Sequence, residues 1–304
     1  MWTLLLALQA NAADTLAPPL CEASGLTVLD SGAFIAIDNE EQDRLFQISP
    51  QREQTVVALS QSPARDYEAV VAYDGLLTVV ASHSRKKLKA GVCRVDSRRA
   101  MFGWAPTTDL AQMTWVSSAH TGHFESADQC HKQLFGGVIT NGSNRLCGWL
   151  AQKDAAANNS KGTCRDTFNI EGAAVVDEHL WVGLRAPLVD GAAVLLRIAG
   201  GLPVKQGLLA DRVVYVEIAG GIRAMAQDET YLYFVSDGEN PRRWRVAPEQ
   251  LKAGARLIPK AIGSVLADTE GLAVTKDFFV GVTDGSAAEK GCKEPSQRWQ
   301  VARP

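Results

Sequence analysis

Apolar residues in this chain fall in short runs broken by polar turns, and the runs repeat. Five stretches share one pattern: "SGLTVLDSGAFIAID" (Ser24 to Asp38), "EAVVAYDGLLTVVAS" (Glu68 to Ser82), "EGAAVVDEHLWVGLR" (Glu171 to Arg185), "RAMAQDETYLYFVSD" (Arg223 to Asp237) and "EGLAVTKDFFVGVTD" (Glu270 to Asp284). Each has an apolar run, a polar turn near the middle and a second apolar run rich in Val, Phe, Leu and Tyr. That is the pattern of two strands joined by a tight turn. Further strands are predicted at "RLFQIS", "TVVALS", "VCRVD", "AVLLRIA", "RVVYVEI", "RRWRVA", "ARLIPKAI" and "RWQVA".

Four strands per unit make a propeller blade. Successive units begin 44, 103, 52 and 47 residues apart, and the longest step has room for one degenerate blade. The expected fold is therefore all-β, a β-propeller of six four-stranded blades, with five blades plus an insertion as the alternative. Residues 13–304 are expected to form one domain. Its elaborated segment, at about 101–167, carries Cys130, Cys147, Cys164 and the loop-like "NGSN" and "AAANNSKG". Short helices are expected only in "TTDLAQMTWVSSA" and "SADQCHKQL".

Composition narrows the class. With 304 residues, 46% apolar and 21% charged, the chain is not disordered. A formal net charge of -3 gives no field that implies nucleic acid. No apolar run approaches the roughly 20 residues that span a bilayer. A small molecule, anionic by the chemistry below, or a protein is the partner class left, with no role for nucleic acid or membrane. At the start, "TLLLAL" precedes "ANA", an A-x-A cleavage pattern, so residues 1–12 read as a signal peptide cut before Ala13 and the location as periplasmic or secreted. Six cysteines without a C-x-x-C pair fit an oxidising compartment. Their pairing stays open, except that ring closure brings first and last blades together and predicts Cys21–Cys292.

The inner strand of a blade crosses the ring and the next strand returns, so the first and fifteenth residues of each unit share one face, at the mouth of the central channel. The starts are Ser24, Glu68, Glu171, Arg223 and Glu270; the ends are Asp38, Ser82, Arg185, Asp237 and Asp284. Glu68, Glu171 and Glu270 aimed at one mouth repel unless a cation lies between them, and calcium accepts such oxygens together with Asp38, Asp237 or Asp284. The other reading gives the carboxylates to the frame, on backbone N–H groups or on Arg185 and Arg223. His83, Arg85, Arg185 and Arg223 break the repeat. With a metal they suit hydrolysis of an anionic ester: His83 moves a proton while Arg185 and Arg223 hold developing negative charge. An ion-pair ring plugging the channel is the competing structural role. His120, His123 and His131 match no zinc spacing, and no G-x-S-x-G elbow is present.

The blocks "IAIDNEEQDRLF", "RDYEAV", "SHSR", "NIEGAAVVDEHLWVGLRAPL", "GGIRAM" and "TEGLAV" follow one another in order. In this the chain resembles a bacterial β-propeller family known as domain of unknown function 3616. That family is similar in turn to esterase-like phytases and to calcium-dependent lactonase and phosphotriesterase propellers, in which acidic residues opening inner strands hold a metal. The resemblance implies a propeller, with a calcium-dependent ester hydrolase as one expectation. Ser24 and Arg223 depart from it, standing where a carboxylate ligand would be. A non-catalytic propeller binding a ligand or protein is the second expectation. Carboxylates converging on a shared space favour the first, and carboxylates each tied to an arginine favour the second.

Overall fold

In a computed structural model, which describes residues 13–87, 93–118, 122–159, 164, 167–288 and 291–303, each fifteen-residue unit forms its hairpin. The inner strands are Ala23–Val28, Tyr67–Tyr73, Asn169–Val176, Ile222–Gln227 and Thr269–Val274. Antiparallel to them return Phe34–Asp38, Leu76–Ala81, His179–Val189, Leu232–Ser236 and Phe278–Thr283. The Asp74-Gly75 turn has positive φ at both residues, 48° and 71°, the geometry that matches the twist of a hairpin and that Asp-Gly tolerates. Each hairpin acquires two more antiparallel strands, giving five blades built on four strands, and blade three adds a short parallel strand, Arg256–Leu257. Among the described residues there are five and not the six expected.

The room for a sixth blade was misassigned. Blade two finds its own outer strands at Met101–Pro106 and Thr114–Ser117, inside the long step. They are separated from their hairpin by a small insert in which Lys86–Lys87 pairs with Cys93–Arg94, so "VCRVD" is no blade strand. The rest of the step holds two helices, α1 (Ala127–Phe135) and α2 (Ser143–Asn159). Ser126 caps α1 by accepting from the Gln129 N–H, and Gly136, at φ 60°, ends it. "TTDLAQMTWVSSA" holds a strand instead of a helix, whereas "NGSN" opens α2. The buried residues Leu146, Cys147, Leu150, Asp154 and Ala157 recur at helical spacing and seat α2 on the frame. Leu134, Phe135, Leu146 and Leu150 join Phe124 and Phe168 in one apolar cluster with Val80 and Phe102 of blade two and Val182 and Val194 of blade three. The inner strands of blades two and three remain neighbours beneath it.

Five inner strands leave little space at the axis. The second residue of each unit is Gly25, Ala69, Gly172, Ala224 or Gly271, and a Cβ on Gly271 would fall 2.8 Å from the Leu26 backbone nitrogen. The next residues, among them Leu26, Met225 and Leu272, are buried and close the channel below the mouth. Ring closure is double. Asp14–Thr15 completes blade five by pairing with Gln297 and Arg298, and Cys21 is bridged to Cys292 as predicted. The remaining bridges, Cys93–Cys164 and Cys130–Cys147, tie the small insert to the approach of blade three and α1 to α2. Three disulfides fit an oxidising, non-cytoplasmic compartment. No described helix is long and apolar enough to cross a membrane. The segment expected to be a signal peptide, residues 1–12, lies outside the described residues.

Candidate functional site at the channel mouth

All five inner strands carry a bulge at the same place. Ala23 pairs with Asp38 and Gly25 with Ile37, leaving Ser24 unopposed. The same break in register skips Glu68, Glu171, Arg223 and Glu270. A bulged residue makes no regular ladder pair, and its side chain is re-aimed. Here the re-aiming turns Glu68, Glu171, Arg223 and Glu270 into one cavity of about 410 Å³ at the mouth. Ser24, fully buried, donates instead to the Tyr67 carbonyl at 2.5 Å.

The charges in this cup are mostly spent on one another. Arg185 donates to Glu171 at 2.8 Å and to Asp237 at 3.0 Å. Arg223 donates to Glu270 at 2.5 Å and lies 3.6 Å from Glu171, 3.5 Å from Asp237 and 3.4 Å from Asp268. Arg99 pairs with Asp66 at 2.7 Å and donates to Ser84. Carboxylates outnumber their arginines. Burial, joined by repulsion from Glu171 and Asp284, pushes Glu270 up to about 8 despite Arg223. Burial and Glu22 push Asp284 up to about 6. Glu68, pressed by burial and then by Asp66, Glu171 and Glu270, is raised well above the usual carboxylate range. Burial also raises Glu171, against the pull of Arg185 and Arg223. Asp237 goes the other way: burial opposes its ionisation, but Arg185 and Arg223 outweigh it.

Not every residue expected at the site faces the cup. Asp38 is fully buried and accepts from four backbone N–H groups, those of Cys21, Glu22, Glu40 and Glu41, so it serves the closure of the ring. Asp237 lies beyond Arg185, in a separate groove that Pro187 and Lys153 also line. His83, expected to move protons, is fully buried behind the strand end, with φ at 55° and its ring against Phe102. Its Nδ1 lies 2.8 Å from the Ala81 carbonyl and must donate; Nε2, 2.8 Å from Ser118 Oγ, then accepts from the hydroxyl. Ser118 Oγ in turn accepts from the Leu208 N–H, so His83 links blade two to blade three. Burial lowers its pKa to about 4 and keeps the ring neutral. Ser82 is bonded to Ser84.

The structure adds residues that sequence reasoning passed over. Glu22, Asp66 and Asn169 line the cup, each two positions before a bulged residue. Asp268 holds the same place before Glu270 and reaches Arg223. "RDYEAV" and "NIEG" carried that signal, since residues two apart along a strand share a face. Arg85 also lines the cup, held by a contact of 3.4 Å to the fully buried Asp154 of α2 and a hydrogen bond to the Cys93 carbonyl. No sequence spacing announced that α2 reaches the mouth.

Among the described residues, these carboxylates are not gathered as a calcium site. Glu171 and Glu270 are engaged by arginines, Asp38 and Asp237 do not line the cup, and no group of three or more carboxylates, histidines or cysteines among the described residues is arranged to hold a metal ion.

Fold and mouth together define a five-bladed β-propeller with a closed channel and a charged cup at one end. The chain belongs to the family described as Protein of unknown function (DUF3616), whose model matches residues 42–209, from blade one into blade three. No curated protein matches the chain. Among solved structures it is similar to the PQQ-bound aldose sugar dehydrogenase of Streptomyces coelicolor (14% identity, 98% of this chain and 100% of that one, TM-score 0.42). It is also similar to virginiamycin B lyase of Staphylococcus aureus (11% identity, 95% and 98%, TM-score 0.46) and to glutaminyl cyclase of Myxococcus xanthus (10% identity, 97% and 97%, TM-score 0.48).

Proposed function

We propose that this protein is a binding propeller that holds a small polar molecule in the cup at its channel mouth. The observation that carries the reading is the tie between the mouth carboxylates and Arg185 and Arg223, which leaves a preformed cavity of about 410 Å³ walled by charged and amide side chains. A volume of that order suits a small ligand. The channel is closed beneath it, so a ligand enters and leaves by one side. The hydrolase suggested by the phytase-like and lactonase-like resemblance needs a metal-bound water and a titrating His83. His83 is sealed behind the strand end, and Glu171 and Glu270 are committed to arginines.

The test is calorimetric titration of the full chain with sugars, amines, amino acids, phosphate esters and lactones, beside an assay for their turnover. Saturable binding of one polar class without turnover is expected, and Asn39→Trp, which fills the cup from its rim, should remove it. Hydrolysis of a phosphate ester or lactone by the parent protein would overturn the reading, as would an absence of binding across the whole panel.

A further inference from the structure

The hydrogen-bonding inventory of the cup is lopsided. Its protein donors are nearly all used, and its acceptors are not. Glu68 is only 9% exposed and lines the cup, yet it accepts no hydrogen bond and makes no ion pair among the described residues. Asn169, 6% exposed, donates through Nδ2 to Glu171, which fixes its amide orientation and leaves the buried Oδ1 without a donor. Asn39 Oδ1 and Asp284 Oδ1 are likewise buried and accept no hydrogen bond among the described residues, and Glu171 Oε2 has only the 3.6 Å ion pair with Arg223 Nε. Against these stands Arg223 Nε, a donor of the same wall that makes ion pairs with Glu171 and Asp237 but no hydrogen bond among the described residues. Buried acceptors without donors cost free energy, and the cost is greatest for charged ones. A ligand that relieves it brings N–H groups and positive charge.

The walls refine the choice of cation. Among the described residues no aromatic side chain lines the cup, so they offer no ring face to hold a quaternary ammonium. A divalent metal requires carboxylates gathered at short range, and no such group is present among the described residues. An ammonium with its own N–H bonds matches acceptors spread around a wider space. The acidic arc runs over blades five, one and two through Asp284, Glu22, Glu40 and Glu68, with Arg99 of blade two paired to Asp66 and Arg85 to Asp154, while Arg185 and Arg223 stand on blades three and four.

Resting on the binding reading, we infer that the ligand carries a primary or secondary ammonium, seated on the arc of the mouth that Glu68 and Asp284 form, with its remaining polar groups turned toward Arg185 and Arg223.

The test uses matched probes on the full chain: glucosamine against glucose and N-acetylglucosamine, and putrescine against 1,4-butanediol, followed by calorimetry and thermal melts, with calcium as a separate arm. At least one amine should bind while its neutral counterparts do not. Glu68→Gln should weaken that amine about tenfold or more, the loss expected for a charged hydrogen bond. Because Glu68 makes no hydrogen bond or ion pair among the described residues, the variant should melt no lower than the parent. Asp284→Asn, nearer the rim, provides a second reading of the same loss. Equal binding of amines and neutral analogues would overturn the ammonium assignment while leaving a binding propeller. So would a calcium response that Glu68→Gln abolishes in the absence of amine binding, or amine binding that survives both substitutions. Failure of every polar probe would instead remove the binding reading itself.

Discussion

Glu270→Gln tests the electrostatics of the mouth by the pH dependence of stability. In the fold, burial and its neighbours Glu171 and Asp284 raise Glu270 from 4.5 to about 8. The folded protein therefore keeps a proton that the unfolded chain has released, and the resulting stability is fully present below 4.5 and is lost as pH rises through about 8. That interval corresponds to on the order of 5 kcal/mol at full ionisation, with the proton belonging to the carboxylate cluster as a whole. Asp284, raised from 3.8 to about 6, acts with the same sign at lower pH. His83 acts oppositely: lowered from 6.5 to about 4, it contributes stability that is lost as pH falls through that window, on the order of 3 kcal/mol. Stability should thus decline on the alkaline side through the mouth and on the acid side through His83. Glutamine fixes position 270 in its neutral form, so Glu270→Gln should flatten the alkaline limb and leave the acid limb in place. Denaturant unfolding at a series of pH values gives both limbs. Parallel decline of parent and variant between about pH 6 and about pH 9 would refute a proton held at the mouth.

Three further outcomes follow from residues away from the cup. His83→Ala should cost about 2 to 4 kcal/mol, since it deletes a packed ring and two buried hydrogen bonds, and should leave ligand binding unchanged; an unaltered denaturation midpoint would contradict its bridging role. Arg243, 5% exposed, stacks over Phe279 and Trp299 at 4.6 and 5.6 Å while Nε and Nη1 lack acceptors, so Arg243→Met should be neutral or stabilising, and a loss above about 2 kcal/mol in the same unfolding experiment would disprove this. Replacing Cys21 and Cys292 by Ala should destabilise more than replacing Cys130 and Cys147, about 5 against about 3 kcal/mol on the chain-entropy account, because the first bridge spans 271 residues and the second 17; the reverse order in thermal melts would reject it.

The hairpins and the address of the site were legible because strand alternation and turn chemistry act locally. Ser24, Glu68, Glu171, Arg223 and Glu270 could be aligned from spacing alone, and four of them meet in the cup. The blade count was not legible, since Met101–Pro106 and Thr114–Ser117 are short and lie beyond the inserted hairpin at Lys86 to Arg94, so they read as the start of something new. In α2 the Asn, Gly and Ser residues suggested loop, although Leu146, Cys147, Leu150 and Ala157 already held helical spacing. The strand ends proved unequal because their side chains answer to different neighbours. Asp38 turns to backbone amides, whereas Arg185 turns to Glu171. His83 was placed on the rim by sequence proximity to Ser82, but successive side chains near a strand end point to opposite sides, and the left-handed backbone at 83 completes its turn into the interior.

The bulges separate what the frame demands from what the mouth displays. A residue outside the ladder register contributes little to strand pairing, so its identity can change while the hydrogen-bonded skeleton on either side stays the same. One chain already exhibits this freedom, with serine, glutamate and arginine occupying the same slot in different blades. Inherited variation at these five positions would act as interchangeable fittings on a common socket, letting descendants of one propeller acquire new ligand preferences by single substitutions without first having to refold.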